Sequence, residues 1–159
     1  MSHNEATKAV IELKVFERFV RLRGLRVVAG SIAKQLPPKP DILCVVQDEG
    51  PIAYEITEGC APEFAAAESR AVREGTAFAW GADVSAQTVR KKLENHYPVD
   101  CPVELIVYAG RTSLPDDVLV PTITPVLANG LGQYRRVWLL GDELHELAAD
   151  RLSSDSGNR

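Results

Sequence analysis

Residues 36–57 constrain this chain more than any other stretch. In Leu36-Pro37-Pro38-Lys39-Pro40, proline lacks an N–H and restricts the residue before it, so the run is expected to be extended and cannot be helical. Two short segments rich in β-branched residues follow, Asp41–Val46 (DILCVV) and Ile52–Thr57 (IAYEIT). They flank Gln47-Asp48-Glu49-Gly50-Pro51, whose composition is that of a turn. The pair therefore reads as an antiparallel hairpin, and the chain must build a sheet and cover at least one face of it.

The remaining elements supply that cover. Residues 8–23 have helical periodicity, stopped by Gly24. Leu25–Ile32 reads as a short strand. Pro62–Glu74 and Ser85–His96 read as helices, the second with Asp83 or Ser85 as its cap. Val103–Ala109 (VELIVYA) is a buried strand, residues 116–132 a helix broken by two prolines, and Arg136–Leu140 a last strand. The order α-β-β-β-α-α-β-α-β predicts an α/β fold, with a mixed sheet of about five strands and helices on both faces. At 159 residues, 45% hydrophobic and 25% charged, the composition suits one globular domain, expected over residues 1–150, with 151–159 a polar, disordered tail.

Composition also narrows the function classes. No apolar run approaches the roughly 20 residues a membrane helix needs, and the polar N-terminus does not read as a secretory signal. Cys44, Cys60 and Cys101 have neither disulfide-framework nor metal-pair spacing, so they are expected as reduced thiols of a cytoplasmic protein. The net charge of −4 argues against a generic polyanion binder, but the charge is uneven. Residues 1–39 carry eight Lys or Arg against three acids, whereas residues 40–75 carry two against eight. No Ser-His-Asp order, GxSxG, P-loop or GxGxxG is present. Arg90-Lys91-Lys92 and the stripe Lys14, Arg18, Arg21 read first as solvated helix faces.

The acids of the hairpin carry the chemistry. With the turn centred on Glu49, Asp41 lies opposite Thr57 and Leu43 opposite Glu55. Asp41 and Glu55 then become diagonal neighbours on one face, about 7–8 Å apart. Two carboxylates that close on apolar strands repel each other and call for a cation between them. A hard divalent ion such as Mg²⁺ suits such a pair. Glu12 adds a third acid, projecting from the middle of the first helix's apolar stripe between Val15, Phe16 and Phe19, where it needs a partner or an ion. The plainer alternatives are a turn-fixing role for Asp41 after Pro40 and an ion pair for Glu55.

These residues resemble the PD-(D/E)xK nuclease superfamily, the fold of many restriction endonucleases and Holliday-junction resolvases. The likeness lies in an N-terminal helix with an inward Glu12, then Pro40-Asp41, the hairpin and Glu55-Ile56-Thr57-Glu58, over roughly residues 8–110. It implies a restriction endonuclease-like three-layer core and a Mg²⁺ (or Mn²⁺) ion held by Asp41 and Glu55. Phosphodiester hydrolysis of nucleic acid would follow, with Glu12 as an auxiliary acid. The family's lysine two residues after the second acid is Thr57 here, which becomes the water-positioning hydroxyl. Lys39 or Lys34 could substitute for that lysine, and Arg70 and Arg73 could bind a phosphate. The resemblance also allows a homodimer or an accessory protein partner. A second expectation is a catalytically inactive nuclease-fold binding or scaffold protein of a mobile-element or defence system, which the Thr57 departure favours.

Overall fold

The computed structural model describes residues 3–59, 77–110 and 114–150, with side chains for all of these except 77–83. Helix α1 (His3–Arg23) stops at Gly24, whose φ of 65° only glycine adopts readily. Strands β1 (Ala33–Lys34), β2 (Ile42–Val46) and β3 (Gly50–Glu58) form an antiparallel meander. Helix α2 (Ala77–Lys92) precedes β4 (Val103–Tyr108), which pairs in parallel with β3. Helix α3 (Asp116–Ile123) and a 3₁₀ turn (Thr124–Leu127) lead to β5 (Tyr134–Leu140), parallel to β4, and β6 (Leu144–Ala149) returns antiparallel to it. The result is an α/β fold, a mixed open sheet of six strands in the order β1-β2-β3-β4-β5-β6, with three helices among the described residues.

Strand alternation sorts the core into two layers. Ile42, Cys44, Tyr54, Ile56, Ile106 and Trp138 face α1 and pack on Phe16 and Phe19. The rings of Phe16, Phe19 and Tyr54 lie 5.1–6.2 Å apart, and Trp138 meets Phe19 edge-on at 5.4 Å. Ala53, Val103, Leu105, Val107, Val137 and Leu139 face the opposite way, against Val89 of α2 and Leu119 and Ile123 of α3. Glu55 and Thr57 share this second face.

Several expectations change. The hairpin turn is tighter than expected: Asp48 (φ 69°) and Gly50 (φ 86°) bend the chain early, so Gly50 already pairs with Val46. Leu43 therefore sits opposite Ala53, not Glu55, and continuing that register places Asp41 directly opposite Glu55. A shift of two residues leaves every side chain on its expected face. The expected strand at 25–32 is reduced to a single bridge, Val27 to Val46, and the paired strand is Ala33–Lys34. The proline run contains a turn, with Lys39 N–H donating to the Leu36 carbonyl at 3.1 Å, so Lys39 lies on no strand. Helix α2 starts well before Ser85 and ends at Lys92. Ser85 is buried and donates to the Gly59 carbonyl at 2.8 Å, so it ties the helix to the end of β3 and caps nothing. Leu22 is 47% exposed and leaves the apolar face of α1. Strand β6 was not expected, because Leu144–Ala149 lacks a β-branched residue. The broken helix after residue 115 is as expected: α3 runs through Pro121 to Ile123 and gives way to the 3₁₀ turn that contains Pro125. The expected helix at 62–74 and the tail at 151–159 lie outside the described residues. No helix among the described residues is long and apolar enough to cross a membrane.

Candidate functional site

The site forms where β3 overhangs β2. Strand β2 begins at Ile42, opposite Tyr54, so residues 56–58 of β3 have no backbone partner on that side. Asp41 fills the gap with its side chain: Oδ2 accepts the Ile56 N–H at 2.9 Å. Its carboxyl then meets that of Glu55, which it hydrogen-bonds and faces across the strand pair. Glu55 is 7% exposed, buried beneath α2.

Each acid has its own lysine. Lys92, the last residue of α2, reaches Glu55 Oε1 at 3.1 Å. Lys34 of β1 stands 3.5 Å from Asp41 Oδ1 and also pairs with Glu12 Oε2. Glu12 is 2% exposed and comes from α1, on the other side of the sheet. Its Oε1 has no hydrogen-bond partner, although Lys8 Nζ is within 3.5 Å. The chain Glu12–Lys34–Asp41–Glu55–Lys92 thus wraps around the sheet margin and links both helical layers. Beside it lies a cleft of about 540 Å³, lined by Glu12 and Lys8 on one side and by Thr57, Thr88 and Lys92 on the other.

The electrostatics follow from burial and crowding. Burial and then the Asp41 charge push the Glu55 carboxyl up to about 7, against the lowering effect of Lys92. Lys92 loses some preference for its charged form through burial, but Glu55 more than restores it and holds the ammonium above its usual range. Because the folded Glu55 keeps its proton to a higher pH than an unfolded glutamate, stability falls as pH rises from about 4.5 to about 7. We expect Glu55→Gln to raise the melting temperature at pH 8 in metal-free buffer and to change it little at pH 4.5. Equal shifts at both pH values would remove this account of the pair.

The structure brings together four of the expected site residues: Glu12, Asp41, Glu55 and Thr57. It does not bring Lys39, which lies exposed in the turn before β2. Of the two lysines considered as substitutes for the missing one, Lys34 is in contact with Asp41. Arg70 and Arg73 lie outside the described residues. Sequence reasoning missed Lys92 by reading it as part of a solvated face. The signal was its spacing: Val89, fully buried, lies three residues earlier on the same side of α2.

No group of three or more His, Cys, Asp or Glu able to hold a metal occurs among the described residues. The available donors are the two carboxylates of Asp41 and Glu55. A pair so crowded that one member stays protonated to about pH 7 is one a small hard cation would relieve, with water completing its shell. That donor set fits Mg²⁺ or Mn²⁺, and it does not fit a structural zinc site. In comparisons with family models, curated proteins and solved structures, nothing matched this chain.

Proposed function

We propose that this chain is a divergent, metal-dependent PD-(D/E)xK-like nuclease with a restriction endonuclease-like core, hydrolysing phosphodiester bonds of nucleic acid. One observation carries the reading: Asp41 and Glu55 face each other at the end of the hairpin, and Lys92 delivers an ammonium to Glu55. A structural salt bridge needs one acid and one base. Two apposed carboxylates raise the energy of the fold, and such strain in titratable groups marks functional sites.

In this reading Asp41 and Glu55 hold Mg²⁺ or Mn²⁺. When bound, such an ion supplies Lewis-acid polarisation of the phosphoryl oxygen and lowers the pKa of a coordinated water. Lys92 takes the place of the lysine absent at residue 57 and offers positive charge to the phosphate. Thr57 presents a hydroxyl beside the same cleft. Glu12 fixes Lys34 against Asp41, so α1 sets the position of the first acid. Of the eight acids in the acidic block of residues 40–75, two, Asp41 and Glu55, form this site, where a bound cation makes the approach of a phosphate less unfavourable.

Calorimetric titration with Mn²⁺ tests the reading. Wild-type protein should bind one ion, and Asp41→Ala and Glu55→Ala should lose it. Affinity should rise with pH through about 7, since the ion displaces the proton of Glu55. Absent binding, or equal binding by all three proteins, overturns the assignment.

A second reading has its own support. Lys34 and Lys92 already neutralise the two acids internally, as they would in a nuclease-fold scaffold that has lost hydrolysis. That protein would bind no Mn²⁺, and Lys92→Met would destabilise it without any effect on nucleic acid cleavage.

A further inference from the structure

Lys92 stands at the end of a helix, where chains fray and a long side chain has many rotamers. Its contact with Glu55 therefore needs something to hold the helix end. The structure provides a dense set of contacts immediately after it. Leu93 packs its backbone on Gly132, where the φ of 59° disfavours other residues and a Cβ would collide with the Leu93 carbonyl oxygen. Four residues further on, the Gln133 side chain grips the backbone of Tyr97 at both ends: Oε1 accepts the Tyr97 N–H at 2.6 Å, and Nε2 donates to the Tyr97 carbonyl at 3.0 Å. The Tyr97 and Tyr134 hydroxyls hydrogen-bond each other at 2.7 Å, with ring centroids 5.9 Å apart. Asn95 Nδ2 donates to the Tyr97 hydroxyl at 3.3 Å and closes the loop between the helix end and the clamp.

The partner of this clamp is the sheet itself. Tyr134 begins β5, paired with Val103, and Val103 pairs with Ala53, two residues from Glu55 on the same face. The lysine and its glutamate are thus both referenced to one rigid surface. The hydrogen bond of Ser85 to Gly59 lies two turns from Lys92 along the helix, whereas the clamp follows its C-terminal end directly.

We propose that Gln133 and Tyr97 are positioning residues, which hold the last turn of α2 so that the Lys92 ammonium meets Glu55. The placement is a statement about geometry. Its catalytic meaning rests on the nuclease reading above. Gln133 makes a paired backbone clamp on Tyr97, five residues beyond Lys92 in the segment that follows the helix end.

The test is brief acetic anhydride acylation of the folded protein, with modified lysines located and quantified by mass spectrometry. Exposed Lys91 serves as the internal reference, and Lys34, also ion-paired, reports general loosening. In Gln133→Ala the acylation of Lys92 should rise severalfold relative to Lys91, while that of Lys34 stays at the wild-type level. Tyr97→Phe, which keeps the ring and loses only the hydroxyl pair, should give a smaller rise with the same selectivity. Unchanged Lys92 acylation in both variants, or a parallel rise at Lys34, overturns the proposal. A second arm uses Mn²⁺-dependent cleavage of DNA and RNA oligonucleotides. Gln133→Ala should slow cleavage in the wild-type background and have no further effect in a Lys92→Met background, because residues acting through one group are not additive. Additive losses overturn it. If the wild-type protein cleaves neither substrate, the nuclease reading fails and the acylation pattern alone decides the clamp.

Discussion

Asp41→Asn is expected to lower metal-dependent phosphodiester cleavage on the order of a thousandfold, the scale on which a preorganised charged group at a reacting phosphate acts. The substitution keeps the size of the side chain. An amide oxygen can still accept the Ile56 N–H, which Asp41 Oδ2 now accepts at 2.9 Å, so the overhang of β3 stays closed. Two things are lost. One negative charge leaves the pair that would hold the ion, and the amide nitrogen turns towards Lys34 in place of a carboxylate oxygen at 3.5 Å. Folding should survive, since relief of the Asp41–Glu55 repulsion offsets the weakened ion pair. The Glu55 carboxyl should then titrate below about 7, as the Asp41 charge is one of the causes that raise it. Single-turnover cleavage of labelled oligonucleotides in Mn²⁺, set beside a thermal melt, separates chemistry from stability. Cleavage by Asp41→Asn at the wild-type rate would falsify the site. Thr57→Val offers a graded comparison. It removes a hydroxyl beside the cleft and no charge, so its loss should be much the smaller of the two.

The parts of this site legible in the sequence are those fixed by strand parity and helix periodicity. Asp41 and Glu55 fall on one face for any hairpin register that differs by an even number of residues, so an error of two in the turn changed their relation from diagonal to opposite and left the face intact. Glu12 was legible because an acid amid Val15, Phe16 and Phe19 has no bland explanation. The contacts that cross the sheet margin were not legible. Lys34 bridges Glu12 and Asp41 only because β1 is two residues long and the proline run turns back at Lys39, which local propensity does not specify. Lys92 looked solvated because two of its neighbours are also basic, and a run of like charges hides the one member that points inward. Glu104 fell inside a segment read as a buried strand, but its partners Arg135 and Trp138 come from β5, and no local spacing brings them to it.

Glu104 is also where the largest stability effect is expected. It is 2% exposed, on the α1 face of β4. Its Oε1 accepts the Trp138 indole N–H at 2.7 Å. Its Oε2 accepts two hydrogen bonds from Arg135, one of them from Nε at 3.1 Å. Arg136 Nη1, at 3.8 Å, is too distant to replace them. Arg135→Met removes the cation that hydrogen-bonds Glu104 and leaves the buried carboxylate with the Trp138 donor and the more distant Arg136, a change that costs about 3 kcal/mol, the lower end of the range for a buried pair that loses one partner. The penalty comes from the stranded charge and not from the pair's net worth. Adding Glu104→Gln to Arg135→Met should therefore recover much of the loss, because the amide oxygen still serves Trp138 and carries no charge. Urea denaturation of the two variants and wild type measures both quantities. An Arg135→Met unfolding free energy within about 0.5 kcal/mol of wild type, the range of an ordinary surface substitution, would remove Glu104 from the core's electrostatics. Mn²⁺ affinity should not follow stability in this series, since Glu104 and Glu55 point to opposite faces of the sheet. A metal affinity that fell with Arg135→Met in the folded protein would mean that the two charge networks communicate through β4.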